Sequence, residues 1–128
     1  MNLLLDTHLL LWAAGHPDRL STEASRILAS TDNTLWFSVG SIWEIVIKRG
    51  LGRDDFRVDP PRFRRRLMEN GYNELAVHGS HVLALQALPA IHRDPFDRIL
   101  VAQAIDEGLT LLTSDADVAA YPASIRLV

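Results

Sequence analysis

Asp6, Glu44, Asp97 and Asp115 are four widely spaced acids whose settings point to chemistry. Asp6 follows the apolar run Leu3-Leu4-Leu5, and Asp115 follows Leu111-Leu112-Thr113, so two strand-like segments each deliver a carboxylate where the strand ends. Short apolar runs without polar alternation fit parallel strands buried on both faces. Open α/β sheets bind ligands beyond the carboxyl ends of their strands, where acids from distant segments can converge. An all-oxygen donor set suits magnesium, which retains several waters and takes one or two carboxylates together with substrate phosphate. An ion so held activates water and neutralises phosphoryl oxygens, as phosphodiester hydrolysis requires.

Each acid also has a plainer role. Asp6 is well placed to cap a helix beginning near His8. Glu44 stands among Ile42, Trp43, Ile45, Val46 and Ile47, which predicts a helix buried on most of its circumference. Lys48, four residues on, is set to pair with Glu44, orienting it or approaching phosphate. Asp94-Pro95 opens a helix with a favoured cap and a favoured first residue. Asp97 shares a face with Leu100, Val101 and Ala104, at the entrance of the side that meets the sheet. Asp94 reads as structural, with Arg98 four residues on to hold it and leave Asp97 free. Asp115 and Asp117 lie in a Ser/Asp-rich turn, where such side chains also bond their own backbone. Thr7, Thr113 and Ser114 offer hydroxyls to metal waters or phosphate, or serve ordinary turn chemistry. His8 and His92 are possible outer groups near Asp6 and Asp94. His78 and His81 share a helical face and read as solvated or satisfied. The sequence contains no HExxH, GxGxxG, P-loop or GxSxG pattern.

The elements that must position these acids alternate. Strands are expected over Leu3–Leu5, Thr34–Phe37, Glu74–Val77, Thr110–Thr113 and Ile125–Val128. Helices are expected from His8 to Ala14, from cap Ser21 to Ser30, from cap Ser38 to Arg49, from Asp59-Pro60 to near Asn70, from Ser80 to Leu88, and from Asp94 to just before Gly108. Such alternation predicts an α/β fold, a mostly parallel central sheet of about five strands covered by helices on both faces. At 128 residues and 48% hydrophobic, the chain fits one globular domain, residues 1–128.

No apolar stretch approaches the roughly 20 residues that span a bilayer, and the first residues lack the features of a signal peptide. The expectation is a cytoplasmic protein with no membrane partner. The absence of cysteine excludes disulfides, thiolate zinc sites and a cysteine nucleophile. A net charge of -3 argues against a polyanionic partner, but its distribution matters more. Lys48, Arg49, Arg53, Arg57, Arg62, Arg64, Arg65 and Arg66 form a basic stretch, while bound cations would offset the acids. The arginines around Arg64 are most simply a solvated helix face.

Taken together, Leu4-Leu5-Asp6-Thr7, Ser41-Ile42-Trp43-Glu44-Ile45, His92-Arg93-Asp94-Pro95-Phe96-Asp97-Arg98 and Leu112-Thr113-Ser114-Asp115 resemble the PIN-domain family, specifically VapC-like toxins. The resemblance spans nearly the whole chain and rests on the order and spacing of all four blocks. It implies acidic site positions at Asp6, Glu44, Asp97 and Asp115, with Asp117 as an auxiliary acid. It further implies a Mg2+- or Mn2+-dependent endoribonuclease, commonly a homodimer, inhibited by a cognate VapB-like antitoxin whose tail enters the acidic groove. Two other functions fit parts of the pattern. A phosphoacceptor receiver-like domain also places acids at strand ends, but wants paired acids after the first strand and a lysine near the last, and Lys48 is the only lysine. A catalytically idle interaction module would use the acids as caps and ion pairs.

Overall fold

The apolar runs at the two ends of the chain lie side by side in one sheet. A computed structural model describes residues 1–128. Its strands are β1 (Asn2–Leu5), β2 (Thr34–Ser38), β3 (Asn73–Leu75), β4 (Thr110–Thr113) and β5 (Ile125–Leu127), in the order β3-β2-β1-β4-β5. Every neighbouring pair is parallel. In register, Leu4 of β1 pairs with Trp36 on one side and Leu111 on the other.

Seven helices cover the sheet: α1 (Thr7–Gly15), α2 (Thr22–Ala29), α3 (Val39–Gly50), α4 (Pro60–Glu69), α5 (Gly79–Ala84), α6 (Pro95–Glu107) and α7 (Ala116–Ala119). Side chains alternate along β1 and divide the core in two. Leu3 and Leu5 join Leu9 and Leu10 of α1, Ile45 of α3 and Phe63 and Leu67 of α4. Leu4 faces the opposite layer, with Leu100, Val101 and Ala104 of α6, Val118 of α7 and Tyr121. Burial on both faces explains why these strands lack polar alternation.

The helix starts follow the capping chemistry. Side chains of Ser21, Ser38, Asp59 and Asp94 accept backbone N–H bonds at the openings of α2, α3, α4 and α6. Pro60 and Pro95 occupy first helical positions, where a missing N–H costs nothing. Gly108 ends α6 at φ +67°, a conformation that suits glycine. Gly40 has a different reason. A Cβ there would lie 3.1 Å from Ser38 Oγ and 3.2 Å from Ile99 Cγ2, so its absence lets α3 approach α6 closely.

Three expectations change. α3 is not buried on most of its circumference: Gly40, Ser41, Glu44 and Ile45 are buried, whereas Trp43, Val46 and Ile47 are 58%, 51% and 43% exposed. The helix lies at the surface with one stripe inward, so apolar content overstated its burial. β3 runs over Asn73–Leu75 and not Glu74–Val77, paired residue for residue with Trp36, Phe37 and Ser38, and ends where β2 ends. The helix expected to reach Leu88 breaks into α5 and a 3-10 turn over Leu85–Ala87. No helix is long and apolar enough to cross a membrane.

Candidate metal centre

The chain runs from β1 outward through β2 to β3, then returns to the other flank of β1 as β4. The reversal places a switch point between β1 and β4, where the loops beyond the strands part and leave a crevice. Asp6 sits there, its N–H donating to Leu112 O at 3.0 Å. One carboxylate oxygen, Oδ1, accepts the Leu9 N–H at 2.9 Å, so the expected capping role is real. The other, Oδ2, accepts from the Thr113 hydroxyl at 2.5 Å. Thr113 Oγ1 in turn accepts the Asp115 N–H at 3.0 Å. One buried threonine thus ties the acid after β1 to the acid after β4.

Two helices supply the other acids. α3 carries Glu44 inward, 2% exposed, with Oε2 accepting from Lys48 Nζ at 2.5 Å. Its second oxygen, Oε1, is buried and has no hydrogen-bond partner. Lys48 also reaches Asp94 Oδ2 at 3.4 Å, and Phe56 and Phe96 rings flank its ammonium at 5.1 and 5.7 Å. Asp94 is therefore held by Lys48, not by Arg98 as expected. Asp97 lies on the first turn of α6, its Oδ2 3.1 Å from His92 Nε2. Asp115 Oδ2 stands 3.7 Å from the same nitrogen. One ligand atom from each of His92, Asp97 and Asp115 falls within a mutual 4.8 Å.

The charges are crowded. Burial first, then the negative charges of Asp94 and Glu44, push the Asp97 carboxyl up to about 7; His92 pulls the other way, and Asp6 adds to the rise. Burial also raises Asp6, outweighing the bonds from Thr113 and the Leu9 N–H. For Lys48 burial works downward, yet the bond and charge of Glu44, with those of Asp94, hold it above the ordinary lysine value. One ammonium is shared between Glu44 and Asp94, leaving Asp6, Asp97 and Asp115 without a matching cation. The unpartnered Glu44 oxygen and this surplus of negative oxygen donors fit a hard divalent ion such as magnesium or manganese.

The other anticipated residues are placed differently. Thr7 Oγ1 donates to Ser41 Oγ at 2.9 Å, a buried bond that joins α1 to α3. Ser114 is exposed at the turn. Asp117 is exposed, and its backbone N–H donates to Asp115 Oδ1 at 2.9 Å, which caps α7. The guanidinium of Arg98 points away from Asp94: Nη1 donates to Pro89 O at 2.8 Å and Tyr121 Oη at 3.1 Å, and Nη2 to Leu85 O at 3.4 Å. His8 bonds Asp55 at 3.2 Å. His92 proves closer to the centre than its sequence position beside Asp94 implied, because the bend into α6 turns its ring toward Asp97. Tyr121 gave no signal in the sequence beyond being an aromatic near the chain's end.

The sequence matches the PIN domain family over residues 3–123, which takes in all four acids. No individual curated protein matches it. Among solved structures, VapBC2 from Rickettsia felis, bound to a DNA fragment from its promoter, superposes with a TM-score of 0.73 at 15% identity, covering 99% of this chain and 98% of that one. VapBC-1 from nontypeable Haemophilus influenzae gives 0.64 at 17% identity, with 99% and 98% covered. A toxin-antitoxin complex from Klebsiella pneumoniae gives 0.61 at 19% identity, with 97% and 95% covered. At these identities the likeness is one of fold. The strand order, the acids at the switch point and the family match over residues 3–123 agree: this chain belongs to the PIN domain family.

Proposed function

We propose that the chain is a Mg2+- or Mn2+-dependent endoribonuclease and the toxin of a toxin-antitoxin pair. The observation that carries the reading is the convergence of Asp6, Glu44, Asp97 and Asp115 at one sheet edge, with more negative charge than Lys48 can offset. Asp6, Asp97 and Asp115 would hold the cation, directly or through water, and Glu44 would orient or deprotonate the attacking water with its free Oε1. When bound, the ion would lower the pKa of a coordinated water and neutralise the phosphoryl oxygens of the substrate. Lys48 fixes the Glu44 carboxylate in direction. Thr113 keeps Asp6 and the Asp115 backbone in register.

A phosphodiester polymer is the substrate this reading implies, met first by the half-exposed Asp115, with Asp6 and Glu44 buried behind it. RNA as the polymer, and a VapB-like antitoxin as inhibitor, follow from family membership and from the toxin-antitoxin complexes that share the fold. Trp43, Val46 and Leu51 of the α3 region and Val82 and Leu83 of α5 are exposed apolar side chains that a second copy or an antitoxin would cover.

Purified wild-type protein incubated with a mixed RNA pool tests the reading. Cleavage that needs Mg2+ or Mn2+, stops with chelator and is lost in folded Asp97→Asn supports it. Metal-independent cleavage, or full activity in that variant, contradicts it.

A further inference from the structure

In its neutral form the His92 ring has one way to face the acids. Its Nδ1 accepts the Asp94 N–H at 3.2 Å, and a ring nitrogen that accepts carries no proton. The ring proton is therefore on Nε2, which lies 3.1 Å from Asp97 Oδ2 and 3.7 Å from Asp115 Oδ2, in polar contact with both. Although spacing alone groups His92 with the two acids as a set of ligands, Nε2–H has no lone pair for a metal. Its N–H turns the positive end of the ring dipole toward the two acids and leaves their oxygen lone pairs for a cation. Polar groups set just outside the ligands help fix how a metal ligand points.

Tyr121, 3% exposed and embedded in the core layer of Leu100, Val101 and Val118, aims that ring. Its hydroxyl accepts the His92 N–H at 2.8 Å and donates to the His92 carbonyl at 3.2 Å. Its remaining acceptor position takes Arg98 Nη1 at 3.1 Å, and the same nitrogen holds Pro89 O at 2.8 Å. Both backbone polar groups of His92 thus end on one hydroxyl, and the segment entering α6 is clasped at both ends. We propose that Tyr121 is a positioning residue of the metal centre: by fixing the His92 backbone it keeps the imidazole beside Asp97 and Asp115 and so steadies their metal-binding poses. The inference rests on the metal-dependent reading above.

Manganese binding, followed by calorimetry on the full chain without RNA, tests it in wild type, Tyr121→Phe, His92→Ala and the double variant, with folding checked by circular dichroism. Tyr121→Phe should weaken binding about 10-fold, within the range for losing a partner that orients a metal ligand. In the His92→Ala background the same change should add less than about twofold, because the route from Tyr121 to the acids is already cut. Unchanged affinity in Tyr121→Phe, or an equal loss in both backgrounds, overturns the proposal. Should Tyr121→Phe not fold, Arg98→Lys takes its place in the same cycle, with the same outcomes deciding. Nitrogen-15 NMR of wild-type histidines adds an independent check: a proton on His92 Nε2 supports the assignment, and one on Nδ1 overturns it. If wild type binds no manganese, this inference and the proposed function fall together; if wild type binds and Tyr121→Phe binds equally well, the inference alone falls.

Discussion

Two clusters in the molecule bring a histidine and two acids within the same 4.8 Å, His92 with Asp97 and Asp115 and His81 with Asp106 and Glu107. Their surroundings differ. The first joins α6, the segment before it and the turn after β4 at the sheet's switch point, beside buried Asp6 and Glu44. The second joins only α5 to α6. There His81 is fully buried, accepts the His78 N–H on Nδ1 at 2.9 Å and meets Glu107 at 2.8 Å, while Ser80 donates to Asp106 at 3.0 Å. Its acids are over one-third exposed, as Asp115 of the first also is; what the second lacks is a buried carboxylate such as Asp6 or Glu44. Ligand spacing alone does not tell the two clusters apart. The buried, mutually repelling carboxylates beside the first do.

The contrast breaks most visibly in catalysis. Asp97→Asn or Asp6→Asn should lower metal-dependent RNA cleavage by more than about 100-fold, beyond the usual cost of losing a group that only orients a ligand. Asp106→Asn and Glu107→Gln should leave the rate within about twofold, as expected of surface sites away from the chemistry. Similar losses in both sets would erase the distinction.

Stability sharpens it. Lys48→Met leaves Glu44 buried without its cation and should cost about 3–5 kcal/mol in urea denaturation. His81→Leu strips the His78 N–H of its acceptor and should cost about 1–3 kcal/mol while manganese affinity stays at the wild-type level. A large loss of metal affinity in His81→Leu would show that the second cluster serves the centre after all.

A gentler probe is pH. The folded value of Asp97, about 7, lies above its ordinary 3.8. Between those values Asp97 binds a proton in the folded chain and not in the unfolded one, so the metal-free stability it contributes is full below about pH 4 and is lost as pH rises through about 7. Burial of Asp6 pushes in the same direction. In chelator, the melting temperature should be higher at about pH 5 than at about pH 8, and saturating magnesium should narrow the gap, since a cation favours the ionised acids. A flat profile in wild type, or one unaltered by Asp97→Asn, would dissociate Asp97 from the effect. Smallest of all, Arg64→Ala removes the exposed pair with Glu74 and should leave the melting temperature unchanged within error, because exposed ion pairs contribute little.

Much of the architecture was legible because it depends on local rules. Unalternating runs such as Leu3-Leu4-Leu5 and Leu111-Leu112 mark strands buried on both faces, and Asp94-Pro95 and Ser38 mark helix starts through caps that act within one turn. The Glu44–Lys48 pair was legible for the same reason, four residues apart on one helix. What escaped depends on long-range placement. Arg98 has the spacing to hold Asp94, but Pro89, Leu85 and Tyr121 offer it three oxygens that only the folded chain brings near. α3 is apolar enough to look enclosed, yet nothing local reveals that Trp43 and Val46 face outward. Tyr121 is distant in sequence from His92 and carries no motif.

The most direct test of the central claim is a crystal of the full chain soaked in manganese, with the ion located by anomalous scattering. The account predicts a peak among Asp6, Asp97 and Asp115, with His92 beside the ligands and not bound to the ion. No peak there at saturating manganese, or a peak only among His81, Asp106 and Glu107, would contradict it.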